Sequence, residues 1–357
     1  MIEDEPKPND LDLEPIISEE EDLGIDNAPY EIRTQGADLT LELLSQKYAD
    51  GEIVIPDFQR NYVWPIKKAS KLIESFLLGL PVPQIFLYQE AKKRDLLVVD
   101  GQQRLLSSHF FLRGTLADGT TVFKLKGVKQ KWEGKSYVDL DEGDKRRLKN
   151  YILRATIFEQ IDPADDKSVY EIFERLNTGG IPLTEQEVRN CINRGQINPF
   201  LEKLNLHESW RSLLGKAAPD KRMKDIELLL RILSLIEGWG SYKKPMKDFI
   251  SAYMARHVDL SQNDQDRLES IFKSTMDYIF REAGTGAFRL PGGRVNVAVL
   301  DSVVVAVGNI GVANVIDLSN KLQGIKANKS YLEYVSNSTT DDDSVKGRIK
   351  MMLEALS

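Results

Sequence analysis

Four apolar residues, Leu96-Leu97-Val98-Val99, run straight into Asp100-Gly101 and then into a helical stretch, Gln102 to Arg113. A short apolar run, partly β-branched and without polar alternation, reads as a strand buried on both faces. Such a strand needs cover above and below, and here the next layer begins within two residues. This part of the chain is therefore α/β.

The flanking segments agree. Ile53–Ile55, Ile85–Tyr88, Thr121–Leu125 and Ile152–Phe158 read as further short strands. Ala37–Tyr48 carries Leu39, Leu43 and Leu44 at helical spacing, with Asp38 or Thr40 as cap. Ile66, Ala69, Leu72, Ile73, Phe76, Leu77 and Leu80 follow a 3–4 rhythm after Pro65. Residues 126–151 read as Lys- and Glu-rich loop material. From Pro163 the pattern turns helical: Val169, Ile172, Phe173 and Leu176 mark one helix, stopped by Asn177-Thr178-Gly179-Gly180. Thr184 and Glu187 make a capping box for the next. Beyond Gly195 everything reads as helix, most clearly over 222–237, 242–257, 264–282, 296–308 and 343–356. The expected organisation is an acidic tail over 1–29, an α/β domain over 30–195 and an all-α helical domain over 196–357.

Composition narrows the function. With 357 residues, 41% of them hydrophobic, the chain can bury real cores, which excludes disorder throughout. The single cysteine, Cys191, excludes a disulfide framework and a cysteine-built zinc site. His109, His207 and His257 share no metal-ligand spacing. The longest apolar run, Val295–Val307, is interrupted by Asn296, Asp301 and Ser302 and falls short of the roughly 20 residues a membrane helix needs. The start of the chain is acidic and resembles no targeting signal. A cytoplasmic protein without a membrane partner is expected.

Net charge misleads as one number. Residues 1–22 hold ten acids against Lys7 alone, a net of −9 in a chain of −7, which leaves the remainder at +2. An acidic whole thus does not argue against a nucleic-acid partner. The tail itself reads as a solvated, disordered leader, or as a polyanion mimic competing for a basic groove.

Three stretches carry candidate chemistry. In the first, a buried strand delivers Asp100, Gly101, Gln102, Gln103 and Arg104 to the first turn of a helix. Backbone N–H groups and the helix dipole there suit a polyanion, and Gly101 permits close approach. Arg104 can fork onto a phosphate, and Asp100 can hold a Mg²⁺ that bridges phosphate oxygens. The alternative is a plain strand-to-helix turn in which Asp100 caps the helix. In the second, Ile55-Pro56-Asp57-Phe58-Gln59-Arg60-Asn61-Tyr62-Val63-Trp64-Pro65, the donors Gln59, Arg60 and Asn61 suit phosphate or base edges. Tyr62 and Trp64 there either stack on a ring or tuck into the core. In the third, Phe173 to Thr184, a helix ends beside Arg175, Asn177 and a glycine pair, which an ordinary helix–turn–helix connection also explains.

Taken in order, these stretches resemble the N-terminal domain of the GmrSD-type (type IV) restriction endonucleases, a ParB/sulfiredoxin-like group with an Asp-Gly-Gln-Gln-Arg signature. The resemblance covers about Leu39 to Cys191. It rests on Gln59-Arg60 with Trp64, the helix Leu72–Leu80 ending Gly-Leu-Pro-Val-Pro, Val99-Asp100-Gly101-Gln102-Gln103-Arg104-Leu105, and Phe173-Glu174-Arg175-Leu176-Asn177-Thr178-Gly179-Gly180. It implies an NTP-binding and hydrolysing domain used in defence against modified foreign DNA. The nucleotide and Mg²⁺ site would be Asp100 to Arg104, with Gln59 and Arg60 as a second wall, beside Asn61, Arg175 and Asn177. Sulfiredoxin's reactive cysteine falls where Gln102 stands, so sulfinic-acid reduction is unsupported. The HNH-type nuclease of complete enzymes has no counterpart around His207 or His257. The expected partners are therefore a nucleotide, DNA and a separate nuclease subunit.

Rival readings are weaker. Gly134-Lys135-Ser136 ends like a P-loop, but the first glycine should stand at Lys129. Pro56-Asp57 with Glu90-Ala91-Lys92 loosely matches a metal-dependent DNA nuclease. Binding without turnover, by a sensor that docks the nuclease, shares the same site. In the helical half, Lys216, Lys221, Arg222 and Lys224, and separately Lys243, Lys244 and Lys247, form basic clusters that suit solvent or a phosphate backbone.

Overall fold

The computed structural model describes residues Leu13–Glu14, 31–55, Tyr62, 64–89, 95–162, Ile172 and 184–357. The chain divides into two compact units, Ala28–Leu183 and a second built from Met1–Asn27 with Thr184–Ser357.

In the first unit the described strands form a five-stranded mixed sheet in the order β1-β5-β3-β4-β2. These are β1 (Glu31–Thr40), β2 (Ile53–Val54), β3 (Ile85–Gln89), β4 (Leu96–Asp100) and β5 (Ile152–Asp162). β1 runs antiparallel to β5, from Thr40 opposite Ile152 to Glu31 opposite Asp162. β3 is parallel to β5 and antiparallel to β4, and β4 is parallel to β2. Helices α1 (Leu41–Ala49), α2 (Ile66–Leu78), α3 (Gln102–Arg113) and α4 (Glu142–Lys149) accompany the sheet. Leu44, Ile73, Phe76, Leu87, Val98, Leu105 and Phe111 lie in one apolar core. The α/β reading of this half holds.

Three local expectations do not. The helix expected from Ala37 begins only at Leu41, because residues through Thr40 are claimed by the β1–β5 ladder. Thr40 caps it, accepting from Leu43 N at 3.2 Å. Thr121–Leu125 is no strand; Val122 makes one bridge to Thr115, while Phe123 and Leu125 are buried as anchors. The expected loop over 126–151 contains α4, whose side-chain cap is Asp141. Among its residues Asp144 is buried and accepts from Trp132 Nε1 at 2.7 Å, beside Lys131 Nζ at 2.7 Å. The helix expected around Val169–Leu176 lies outside the described residues apart from Ile172.

The second unit is helical, as expected: α5 (Glu185–Ile192), α6 (Ile197–Asn205), α7 (Glu208–Leu214), α8 (Lys224–Gly238), α9 (Met246–Arg256), α10 (Gln262–Ala283), α11 (Val297–Ile310), α12 (Leu318–Lys326), α13 (Lys329–Ser336) and α14 (Asp342–Leu356). The Thr184–Glu187 capping box is present at the start of α5. Arg189 of α5 is fully buried, donating to Ser251 Oγ at 3.0 Å and pairing with Glu185 at 2.7 Å. Glu187 pairs with Arg222 at 3.1 Å.

The three interruptions in the apolar run of α11 each have a structural use. Asn296 caps the helix, accepting from Val299 N at 2.9 Å. Ser302 bonds Tyr331 Oη at 2.6 Å. Asp301 receives Arg231 through two nitrogens and Arg348 Nη2 at 2.8 Å, all buried. Of the acidic leader, Leu13 and Glu14 are held: Glu14 N donates to Val295 O at 2.9 Å and its carboxylate accepts from Asn296 Nδ2 at 2.5 Å. At these two residues the leader is not a free, solvated strand of chain.

Candidate functional site

The candidate turn sits where β4 ends and α3 begins. Leu97, Val98 and Val99 are buried, which fixes Asp100 as the last strand residue. Gly101 then takes φ +96° and serves as the N-cap of α3, without a side-chain cap bond. A Cβ on Gly101 would stand 2.3 Å from Ile85 Cγ2 and 3.1 Å from Arg104 Nη2. The close approach that this glycine permits is therefore made by Ile85 of β3.

Arg104 lies one helical turn on and folds back over the turn. Its Nη2 donates to Asp100 Oδ2 at 2.6 Å and to the carbonyl of Gln84 at 3.0 Å. Its side chain is 17% exposed and that of Asp100 39%. Arg104 Nε is buried without a hydrogen-bond partner. Asp100 is thus an ion-pair partner of its own helix and not its cap. The pair joins strand, turn and helix through one guanidinium.

Gln103 connects the turn to the second stretch. Its Oε1 accepts from Trp64 N at 3.2 Å, and its carbonyl accepts from Ser107 Oγ at 2.6 Å. Ser107 Oγ also bonds Tyr62 Oη at 3.0 Å. The Tyr62 ring stands edge-on to Phe110 at 5.2 Å, and burial pushes its hydroxyl pKa up. Trp64 packs against the same core and lies under Lys68 Nζ at 4.5 Å. Both aromatics are tucked in, which corrects the stacking alternative for them. Gln102 is half-buried. Gln59, Arg60 and Asn61, with Arg175 and Asn177, lie outside the described residues, as do Pro56-Asp57 and Glu90-Ala91-Lys92.

Farther along α3, His109 is a satisfied core histidine. Its Nδ1 bonds Ser45 Oγ at 2.9 Å, Tyr48 stands edge-on at 4.8 Å, and burial lowers its pKa. Among the described residues no three His, Cys, Asp or Glu gather as a metal cluster. Asp100 alone suits an ion held mainly by phosphate oxygens and water, as Mg²⁺ often is, and not an all-protein cage. Sequence reasoning missed the Gln84 carbonyl, Ile85 and Ser107. Only Ser107 had a signal, four residues after Gln103 on the same helix face.

The turn falls inside a family match. Residues 41–193 match the family described as GmrSD restriction endonuclease, N-terminal domain. Over these residues the chain is similar to the GmrSD N-terminal domain. The matched region includes the Asp100–Arg104 turn and α5, while β1 precedes it. An uncharacterized protein of Methanocaldococcus jannaschii is 34% identical to the chain over 91 residues, covering 19% of this chain and 15% of its own length. The chain thus spans about 15% of that relative's length. No helix among the described residues is long and apolar enough to cross a membrane.

Proposed function

We propose that the GmrSD-like domain serves a restriction or defence system directed at DNA, and that its Asp100–Arg104 turn binds the phosphates of a nucleoside triphosphate. The observation that carries the nucleotide reading is Arg104. A guanidinium at the start of a helix is held by one carboxylate and one carbonyl, with Nε buried and unpartnered. The pair with Asp100 is then the resting arrangement. An arriving phosphate competes for the guanidinium with more charge and more acceptor oxygens than one carboxylate has. Asp100, released, would be the carboxylate to hold a Mg²⁺. When bound, that ion neutralises charge on the phosphate oxygens. Gln102, on the first turn of α3, orients the attacking water. On the family likeness Gln59, Arg60, Asn61, Arg175 and Asn177 complete the wall.

Mg²⁺-dependent phosphate release should fall about 100-fold or more in Arg104→Ala and in Asp100→Ala. Failure of the purified chain to bind any nucleotide at millimolar concentration ends this reading.

A second reading, binding without turnover by a sensor that docks a separate nuclease, is favoured by one observation. His109, the histidine of α3, is bonded to Ser45 Oγ and so is not offered as a base at the turn. Nucleotide titration followed by a phosphate assay separates the two readings.

A further inference from the structure

The segment that fails to form a strand, Thr121–Leu125, has a consequence at the surface. Phe123 and Leu125 are buried, so the alternating Lys124 and Lys126 point outward. Beyond them the loop is tied across α2. Lys126 N donates to Ser70 Oγ at 3.0 Å, and Lys129 N donates to Glu74 Oε1 at 2.6 Å. A Cβ on Gly127 would stand 3.8 Å from Lys67 Cγ. Two lysine arrays are therefore laid side by side: Lys67 and Lys68 on the exposed face of α2, and Lys124, Lys126 and Lys129 on the loop.

The acids on this face are already engaged. Glu74 is held by Lys71 and Lys129 N, and Glu133 accepts from Val128 N at 2.9 Å. Asp139 accepts from Ser136 N and Oγ. None of those five lysines closes an ion pair among the described residues. In the helical unit Lys243 and Lys244 are by contrast engaged, with Asp342 and Asp341.

We infer that the α2 face with loop Lys124–Lys129 is a docking surface for the phosphate backbone of duplex DNA. The rings beside it are buried or covered: Phe123 and Trp132 lie inside, and Trp64 lies under Lys68. Single-stranded nucleic acid is gripped largely by stacking its bases on aromatic rings. A ring-free row of lysines matches regularly spaced phosphates and reads no sequence. The inference rests on the DNA-directed reading of the domain and not on nucleotide turnover at Asp100–Arg104.

The test is the salt dependence of binding by the full chain to a random-sequence duplex, followed by fluorescence anisotropy. Replacing Lys67, Lys126 and Lys129 together by alanine should lower the slope of log K against log salt by about 0.9 for each phosphate left without its lysine. The same three changed to arginine should keep the slope, which separates the removal of charge from a failure to fold. Lys243→Ala and Lys244→Ala together should leave it unchanged, since both are held by acids. An unchanged slope in the alanine triple overturns the inference, as does equal or tighter binding of single-stranded DNA or of RNA. Phosphate release, measured on the alanine triple with nucleotide alone, should stay at the level of the unmodified chain. A flattened salt slope is thereby distinguished from failure of the nucleotide reading.

Discussion

At Gly101 two constraints coincide, a left-handed backbone and a neighbouring side chain where a Cβ would go. Either alone is tolerable in many proteins; together they leave only hydrogen at that position. Gly101→Ala should cost about 2–4 kcal/mol, from backbone strain plus displacement of Ile85. A urea titration checks this, and an unchanged midpoint means that the turn can rearrange. The residues of this turn are legible in the sequence because their relation is local: strand end, glycine, helix start, and an arginine one turn on. The Gln84 carbonyl and Ile85 are not. Their approach is made across the β3–β4 pairing, which no spacing along the chain reveals.

Elements are legible where burial imposes a period and obscure where it does not. β4 and α3 can be read nearly residue for residue, since apolar runs mark them. β1 is an edge strand with few buried side chains, so its apolar alternation is faint and its last residues read as part of the following helix. In α4 the lone apolar residue, Leu148, gives no period, and the helix depends on the Asp141 cap and on buried Asp144. Conversely, polar breaks in α11 mark its buried anchors. Asp301→Asn leaves Arg231 and Arg348 without a buried counter-charge and should destabilise the chain by about 3–5 kcal/mol. Denaturant unfolding measures it; a loss below about 1 kcal/mol would mean that water reaches the trio.

For the whole molecule, two halves of different class can be read from where strand patterns stop, near Gly195. The packing boundary, at Leu183/Thr184, is less visible, because α5 looks in sequence like one more helix of either half. The buried Arg189 and the Glu187–Arg222 pair bind α5 to the helical unit. A fragment of residues 184–357 should therefore melt cooperatively, and one of 196–357 about 5 °C lower or more. Equal melting temperatures would show that α5 is dispensable to that unit.

The clasp of Leu13 and Glu14 onto Val295 and Asn296 has a practical outcome. A fluorophore or affinity handle attached just ahead of Leu13 travels with the helical body, although in sequence it sits nearest the sheet. Spectroscopic signals from such a label would report events at α11.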